Sequence, residues 1–153
     1  MSNLSIKLKV VTPEKTVFED EIYQVTLPTG AGEITILPNH YSYISNLVPG
    51  ELCVKLISSR EKEKKEMCFF YISGGFIEFH DNELIILADA AERAEEIDLK
   101  LAEEARKKAE ELKKQKVSMD DAEFAKVAVA IQQESARIRV AKKHRTRHGI
   151  KIN

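Results

Sequence analysis

The chain has 153 residues, 43% of them hydrophobic and 32% charged, with a formal net charge of −1, a length that suits a small domain plus an appendage. Its apolar stretches, Leu84 to Ala88 among the longest, fall far short of the roughly 20 residues a spanning helix needs, so any membrane role is expected to be peripheral. Cys53 and Cys68 stand in separate runs with no Cys-x-x-Cys spacing, which favours buried thiols over zinc or a redox pair.

The N-terminus carries neither a basic nor an apolar leader region, so secretion is not expected. Instead Leu4, Ile6, Leu8 and Val10 alternate with Ser5, Lys7 and Lys9, the period of a half-buried strand. Thr12-Pro13 ends it, Val17 and Phe18 restart extended chain, and Ile22 to Leu27 reads as a strand closed by Pro28-Thr-Gly-Ala-Gly32. Further strands are expected at Glu33 to Leu37, Tyr41 to Leu47, Glu51 to Ser58, Met67 to Ser73, Phe76 to His80 and Glu83 to Ala88. Pro, Gly and Asn punctuate them at the spacing of a β-sandwich. The wholly polar run Ser59 to Glu66 is expected to tip a long hairpin, as a solvated turn or as a charged patch.

From Asp89 the vocabulary becomes Ala, Glu, Lys, Arg, Leu and Gln, that of exposed helix. Ala91, Ala94, Ile97, Leu101, Ala105, Ala109 and Leu112 form one stripe, with Asp89 and Glu92 as the expected cap. A second helix is expected from a cap at Ser118 and Asp121, with a stripe of Phe124, Val127, Ala128, Ile131, Ser135, Ile138 and Ala141. The two should fold back as an antiparallel hairpin. Because alanine and serine supply much of the stripe, docking should be weak. An undocked second helix of ~25 residues, from Ser118 to about Lys143, would reach ~38 Å. The expected division is a sandwich over residues 1–88, a helical hairpin over 89–143 and a basic, disordered tail over 144–153. Residues 1–88 carry 8 basic and 12 acidic side chains, 89–134 carry 9 and 13, and 135–153 carry 7 and none. A basic end on an acidic chain asks for an acidic partner surface.

Val10-Val-Thr-Pro13, Val17-Phe-Glu-Asp20, Gly32-Glu-Ile-Thr-Ile-Leu-Pro-Asn-His40, Pro49-Gly50, Ser73-Gly-Gly-Phe-Ile-Glu78 and Ile86-Leu-Ala-Asp-Ala-Ala-Glu-Arg93 follow one another in this order. In that order they resemble the epsilon subunit family of the F-type ATP synthase, over residues 4 to 143. The resemblance implies an α+β protein, an antiparallel β-sandwich followed by a two-helix hairpin. It also implies a non-catalytic part of the rotating central stalk, in a proton- or sodium-translocating enzyme, peripheral on the cytoplasmic face of a bacterial membrane. The γ subunit, the c-ring and the α and β subunits are the implied partners, and membrane association is only through the complex.

By the same resemblance Glu33 and His40 face the c-ring, although a solvated strand end and a satisfied turn are simpler readings of the two. Arg137, Arg139, Lys142 and Lys143 are implied to meet an acidic segment of the β subunit when the hairpin extends and opposes ATP hydrolysis; the alternative is a solvated, frayed end. Some relatives bind ATP through Ile/Leu-Asp-x-x-Arg-Ala and arginines of the second helix, which here assigns Glu92, Asp98, Ala102 and Arg137. The motif reads Ile97-Asp98-Leu99-Lys100-Leu101-Ala102, with leucine in place of arginine, and Gln133 stands at a second arginine position. Leucine offers a phosphate no donors, so no cofactor is expected, and ATP is the disfavoured alternative.

An enzyme reading lacks parts: there is no Gly-rich phosphate loop, no nucleophile elbow, and no metal-spaced cluster among His40, His80, His144 and His148. Neither catalytic nor metal residues are therefore assigned. A generic sandwich adaptor and a nucleic-acid module with a basic tail are the competing readings. The acidic sandwich and the lack of aromatic-basic alternation argue against nucleic acid as a partner.

Overall fold

The computed structural model describes residues 4–57, 66–115 and 120–149. Most of the charged run at 59–66, the expected cap Ser118 and the last four residues of the expected tail lie outside them. The protein is a β-sandwich followed by two helices.

Strand β1 (Ile6–Val11) buries Ile6, Leu8 and Val10 and turns its lysines out. Strand β2 (Thr16–Thr29) is one 14-residue element where two extended runs were expected. Its first half pairs with β1, from Ile6 against Ile22 to Val10 against Phe18, and its second half pairs with β3 (Gly32–Ile36). A register shift between Ile22 and Gln24 in its pairing with β5 marks a bulge, and bulges bend a strand, which lets one strand serve both halves of a sandwich. Strands β4 (Tyr43–Leu47), β5 (Gly50–Leu56), β6 (Met67–Ile72), β7 (Gly75–His80) and β8 (Glu83–Ala88) complete the expected set. Parallel pairing of β1 with β8 closes the sheet on itself through the order β1, β8, β7, β4, β2. Phe70, Phe79, Leu27, Leu52, Ile77 and Ile86 fill the core within.

Two tight places fix the β7 hairpin. Asp81 and Asn82 both take positive φ, 48° and 61°, the pair that a two-residue hairpin turn requires. Gly75, at φ 142°, leaves no room for a side chain, because a Cβ there would overlap the Leu87 carbonyl oxygen.

Past Ala88 the structure departs from expectation. Residues 89–93 are not helical: the chain bends at Asp89, and a short strand β9 (Ala91–Arg93) adds to the edge of β6 through Tyr71 against Glu92 and Ile72 against Ala91. Ser73 holds the entry, since its Oγ accepts from the Ala90 amide at 2.8 Å. Helical composition yields here to an open sheet edge whose backbone groups need partners. Arg93 then lies 5.3 Å from the Phe70 ring centroid.

A 3-10 turn (Ala94–Glu96) leads to helix α1 (Leu99–Lys114). Its cap is Asp98, not Asp89: the Asp98 carboxylate accepts from the Lys100 and Leu101 amides at 3.0 and 3.2 Å. Starting at Leu99 resets the helical phase, so Leu99, Ala102 and Ala109 are buried, while Leu101 is 59% exposed and Leu112 is exposed too. Helix α2 (Asp121–Arg147) is capped by Asp120 and passes the expected end at 143 by four residues. Residues 144–147, expected to be disordered, are helical. Ala136, Ile138, Val140 and Ala141 occupy different sides of the helix and are all buried. Its C-terminal half is held between α1 and a seat made by β5, β6 and the 3-10 turn.

Candidate functional site

The seat is built from outward-facing residues of β6 and the turn after β9: Tyr71, Ala94 and Ile97, against which Ala136, Ile138, Val140 and Ala141 pack. Its apolar content is modest, and charge frames it. Arg137 donates to both oxygens of Glu92, Nε to Oε2 at 2.8 Å and Nη2 to Oε1 at 3.1 Å, and stands 3.6 Å from Glu134. This forked geometry, in which guanidinium matches carboxylate, raises the Arg137 guanidinium pKa above its ordinary value, chiefly through the Glu92 hydrogen bond. Burial, and then Glu134, push the Tyr71 phenol up beside it.

Toward the end of α2, Lys142 lies 3.6 Å from Glu103 of α1. Lys143 and Arg147 both reach Glu51 at the start of β5, with Arg147 donating Nη1 to Oε2 at 3.0 Å and Nη2 to Oε1 at 2.9 Å. The Arg147 guanidinium also covers the Phe69 ring at 3.9 Å, a cation-π arrangement. Of the four basic residues assigned to an acidic partner, three are thus engaged inside the chain, while Arg139 is exposed.

The residues assigned to ATP do not form one open pocket. Glu92 and Arg137 neutralise each other, Asp98 is spent on the α1 cap, and Ala102 is fully buried under α2. Leu101 faces solvent on the outer side of α1, and Gln133 donates to the Ser73 carbonyl oxygen at 3.4 Å.

Glu33 lies near the start of β3 and His40 in the loop beyond its end. Glu33 is exposed beside the β2–β3 turn. His40 sits in the following loop, donating from Nδ1 to the Tyr41 carbonyl oxygen at 2.8 Å, with its ring edge-on to Phe79. The loop is tied to the β7–β8 turn, since Asn82 Oδ1 accepts from the Asn39 amide at 2.6 Å and Asn82 Nδ2 donates back at 3.0 Å. His40 is therefore presented from a fixed loop, beside an almost fully exposed Tyr41.

Sequence reasoning missed one surface. On the outer face of β4, β7 and β8, Ile44 is 74% exposed, Phe76 62%, Leu87 56% and Ile85 39%. The pairing Phe76 against Leu87, with Ile44 and Ile85 both opposite Glu78, makes them neighbours around one carboxylate. The signal was present: Leu84-Ile85-Ile86-Leu87 is apolar at both parities, so half of it had to face outward. Such a contiguous apolar face marks an interaction surface. Among the described residues there is no cluster of three metal-ligating side chains, and no helix long and apolar enough to cross a membrane.

Residues 5–94 match the family described as ATP synthase, Delta/Epsilon chain, beta-sandwich domain. The ATP synthase epsilon chain of Clostridium novyi is 47% identical over 123 residues, 79% of this chain and 89% of the relative. That of Herpetosiphon aurantiacus is 38% identical over 145 residues, 94% of this chain and 99% of the relative. Among solved structures, a chain of the Euglena gracilis mitochondrial ATP synthase, OSCP/F1/c-ring, superposes with a TM-score of 0.71 at 24% identity, covering 89% of this chain and 81% of that one. At that identity the superposition speaks for the fold.

Proposed function

The chain belongs to the epsilon-chain family of ATP synthases, and from that premise we propose that it is the non-catalytic central-stalk subunit coupling ion flow to ATP synthesis in an F-type enzyme. The observation that carries this reading is the apolar face around Phe76, which suits a sandwich held permanently against another subunit. In this reading the γ subunit covers that face, and the c-ring meets the loop end that carries Glu33, His40 and Tyr41. The closed sandwich then passes torque as a rigid unit. The subunit is peripheral on the cytoplasmic face of the membrane, attached only through the complex.

The hairpin is the regulatory element in this reading, with the α and β subunits as its partners. Its undocking would release Arg137, Lys142 and Lys143 from Glu92, Glu103 and Glu51, so that they and Arg139 could meet an acidic segment of the β subunit and oppose ATP hydrolysis. No cofactor enters the proposal. Purification of the tagged chain from its native membranes in mild detergent tests it. We expect α, β, γ and c-ring subunits to accompany it, and their absence would overturn the reading.

A further inference from the structure

We propose that Glu51 is the catch on which the end of α2 closes, and that its hold on Lys143 and Arg147 sets how often the hairpin leaves the sandwich. The proposal rests on the reading of the hairpin as a movable element. Glu51 is the most buried carboxylate of the interdomain ion pairs, its side chain only 14% exposed, and three N–H donors converge on it from the last two turns of α2. One of its two partners, Arg147, is pinned from the other side by the Phe69 ring. Arg137 and Arg147 stand ten residues apart, about 15 Å along a helix, so α2 is held at a midpoint by Glu92 and at its end by Glu51. Around and between these points α2 meets its seat partly through Ala136 and Ala141, which contribute little apolar area. An end clamp over such a seat controls opening, because fraying must begin where the helix ends.

The chemistry also names the competitor. Glu51 presents one carboxylate to an ammonium and a guanidinium, so an acidic peptide surface offering carboxylates to Lys143 and Arg147 competes for the same donors. The folded form and an acid-bound form are mutually exclusive at these two residues. Rising salt weakens the catch while leaving the sandwich core intact.

Amide hydrogen exchange on the isolated full-length chain tests this directly. Glu51→Gln is expected to speed exchange across residues 136–147 by about tenfold, as the charge-assisted bonds to Lys143 and Arg147 weaken to neutral-acceptor ones, with β1 and β8 still protected. Glu51→Arg should open the helix further, and the charge swap Glu51→Arg with Arg147→Glu should restore most of the protection. Arg147→Gln, on the helix side of the contact, should open the same segment, and unchanged exchange in it overturns the proposal whatever the Glu51 variants do to the sandwich. A swap no better protected than Glu51→Arg overturns it too. ATP hydrolysis by the assembled enzyme is a separate readout: opening without any change in hydrolysis refutes the regulatory reading and leaves the catch standing.

Discussion

Replacing Phe76 by threonine isolates the outer face of the sandwich from its fold. Phe76 is 62% exposed, so of the ~200 Å² that an aromatic side chain buries, about 120 Å² is left for a partner. At ~25 cal/mol per Å² that is about 3 kcal/mol, of which threonine retains roughly a third. The loss of about 2 kcal/mol weakens assembly by about thirtyfold. The strand should persist, because a β-branched residue suits an exposed strand position. Titrating the variant onto enzyme stripped of this subunit measures the affinity, and the thermal melt of the isolated chain reports the fold. Leu101→Thr is the control: Leu101 is as exposed as Phe76 but lies on α1, and its loss should leave affinity within about twofold, a few tenths of a kcal/mol. Native affinity for Phe76→Thr with an unchanged melt would refute the assignment of this face to a partner.

Truncation after residue 117 should raise ATP hydrolysis by the assembled enzyme, and unchanged hydrolysis would show that the hairpin is not a brake. The Tyr71 phenol titrates near the ordinary phenol value of 10.0 when unfolded but higher in the fold, where burial and then Glu134 disfavour its anion. Its contribution to docking is therefore complete below pH ~10 and declines as pH rises through the folded value. Tyr71→Phe should remove that alkaline decline, followed by tyrosinate absorbance and by exchange in α2; an identical decline in the variant contradicts the assignment. Calorimetry should detect no ATP binding to the native chain. Leu101→Arg alone should not confer it, because position 101 faces solvent and Arg137 is already engaged by Glu92; saturable binding by either protein would overturn this.

The strands were legible because β1, β7 and β8 carry an alternating set of buried residues between turn residues of fixed chemistry, such as Asp81-Asn82. What the pattern could not show was partnership. The β1–β8 parallel pairing joins residues 76 apart, Leu8 and Leu84, and nothing local encodes it. The Ala-Glu-Arg of β9 is helical vocabulary, but the edge of β6 decides its conformation. Local pattern alone therefore puts the cap at Asp89 instead of Asp98, and Leu101 and Leu112 in an inward stripe that the fold turns to solvent. For the candidate site, the basic character of residues 135–153 was plain. The acids that receive it were not, since Glu51 precedes Arg147 by 96 residues.

The two cores differ in what holds them, and that difference bears on the proposed division of labour. The sandwich core is built from large side chains with almost no exposure, Phe70, Phe79, Ile6, Leu8, Ile22 and Leu27 among them, and its sheet closes through β1 and β8. The strands β1, β8, β7, β4 and β2 form a closed path, which suits the proposed role of carrying load as one body. The second core contains Ala94, Ala102, Ala136 and Ala141 beside Ile97, Leu99, Ile138 and Val140. Each alanine offers little area to lose, so undocking α2 exposes less apolar surface per residue than opening the sandwich does. Ion pairs supply the remaining selectivity for the docked geometry, and partly exposed pairs respond to salt and to competing acids while a hydrocarbon core does not. In the proposed division of labour, these ionically sensitive contacts stand at a junction where movement of α2 would leave the packing of the sandwich core unchanged.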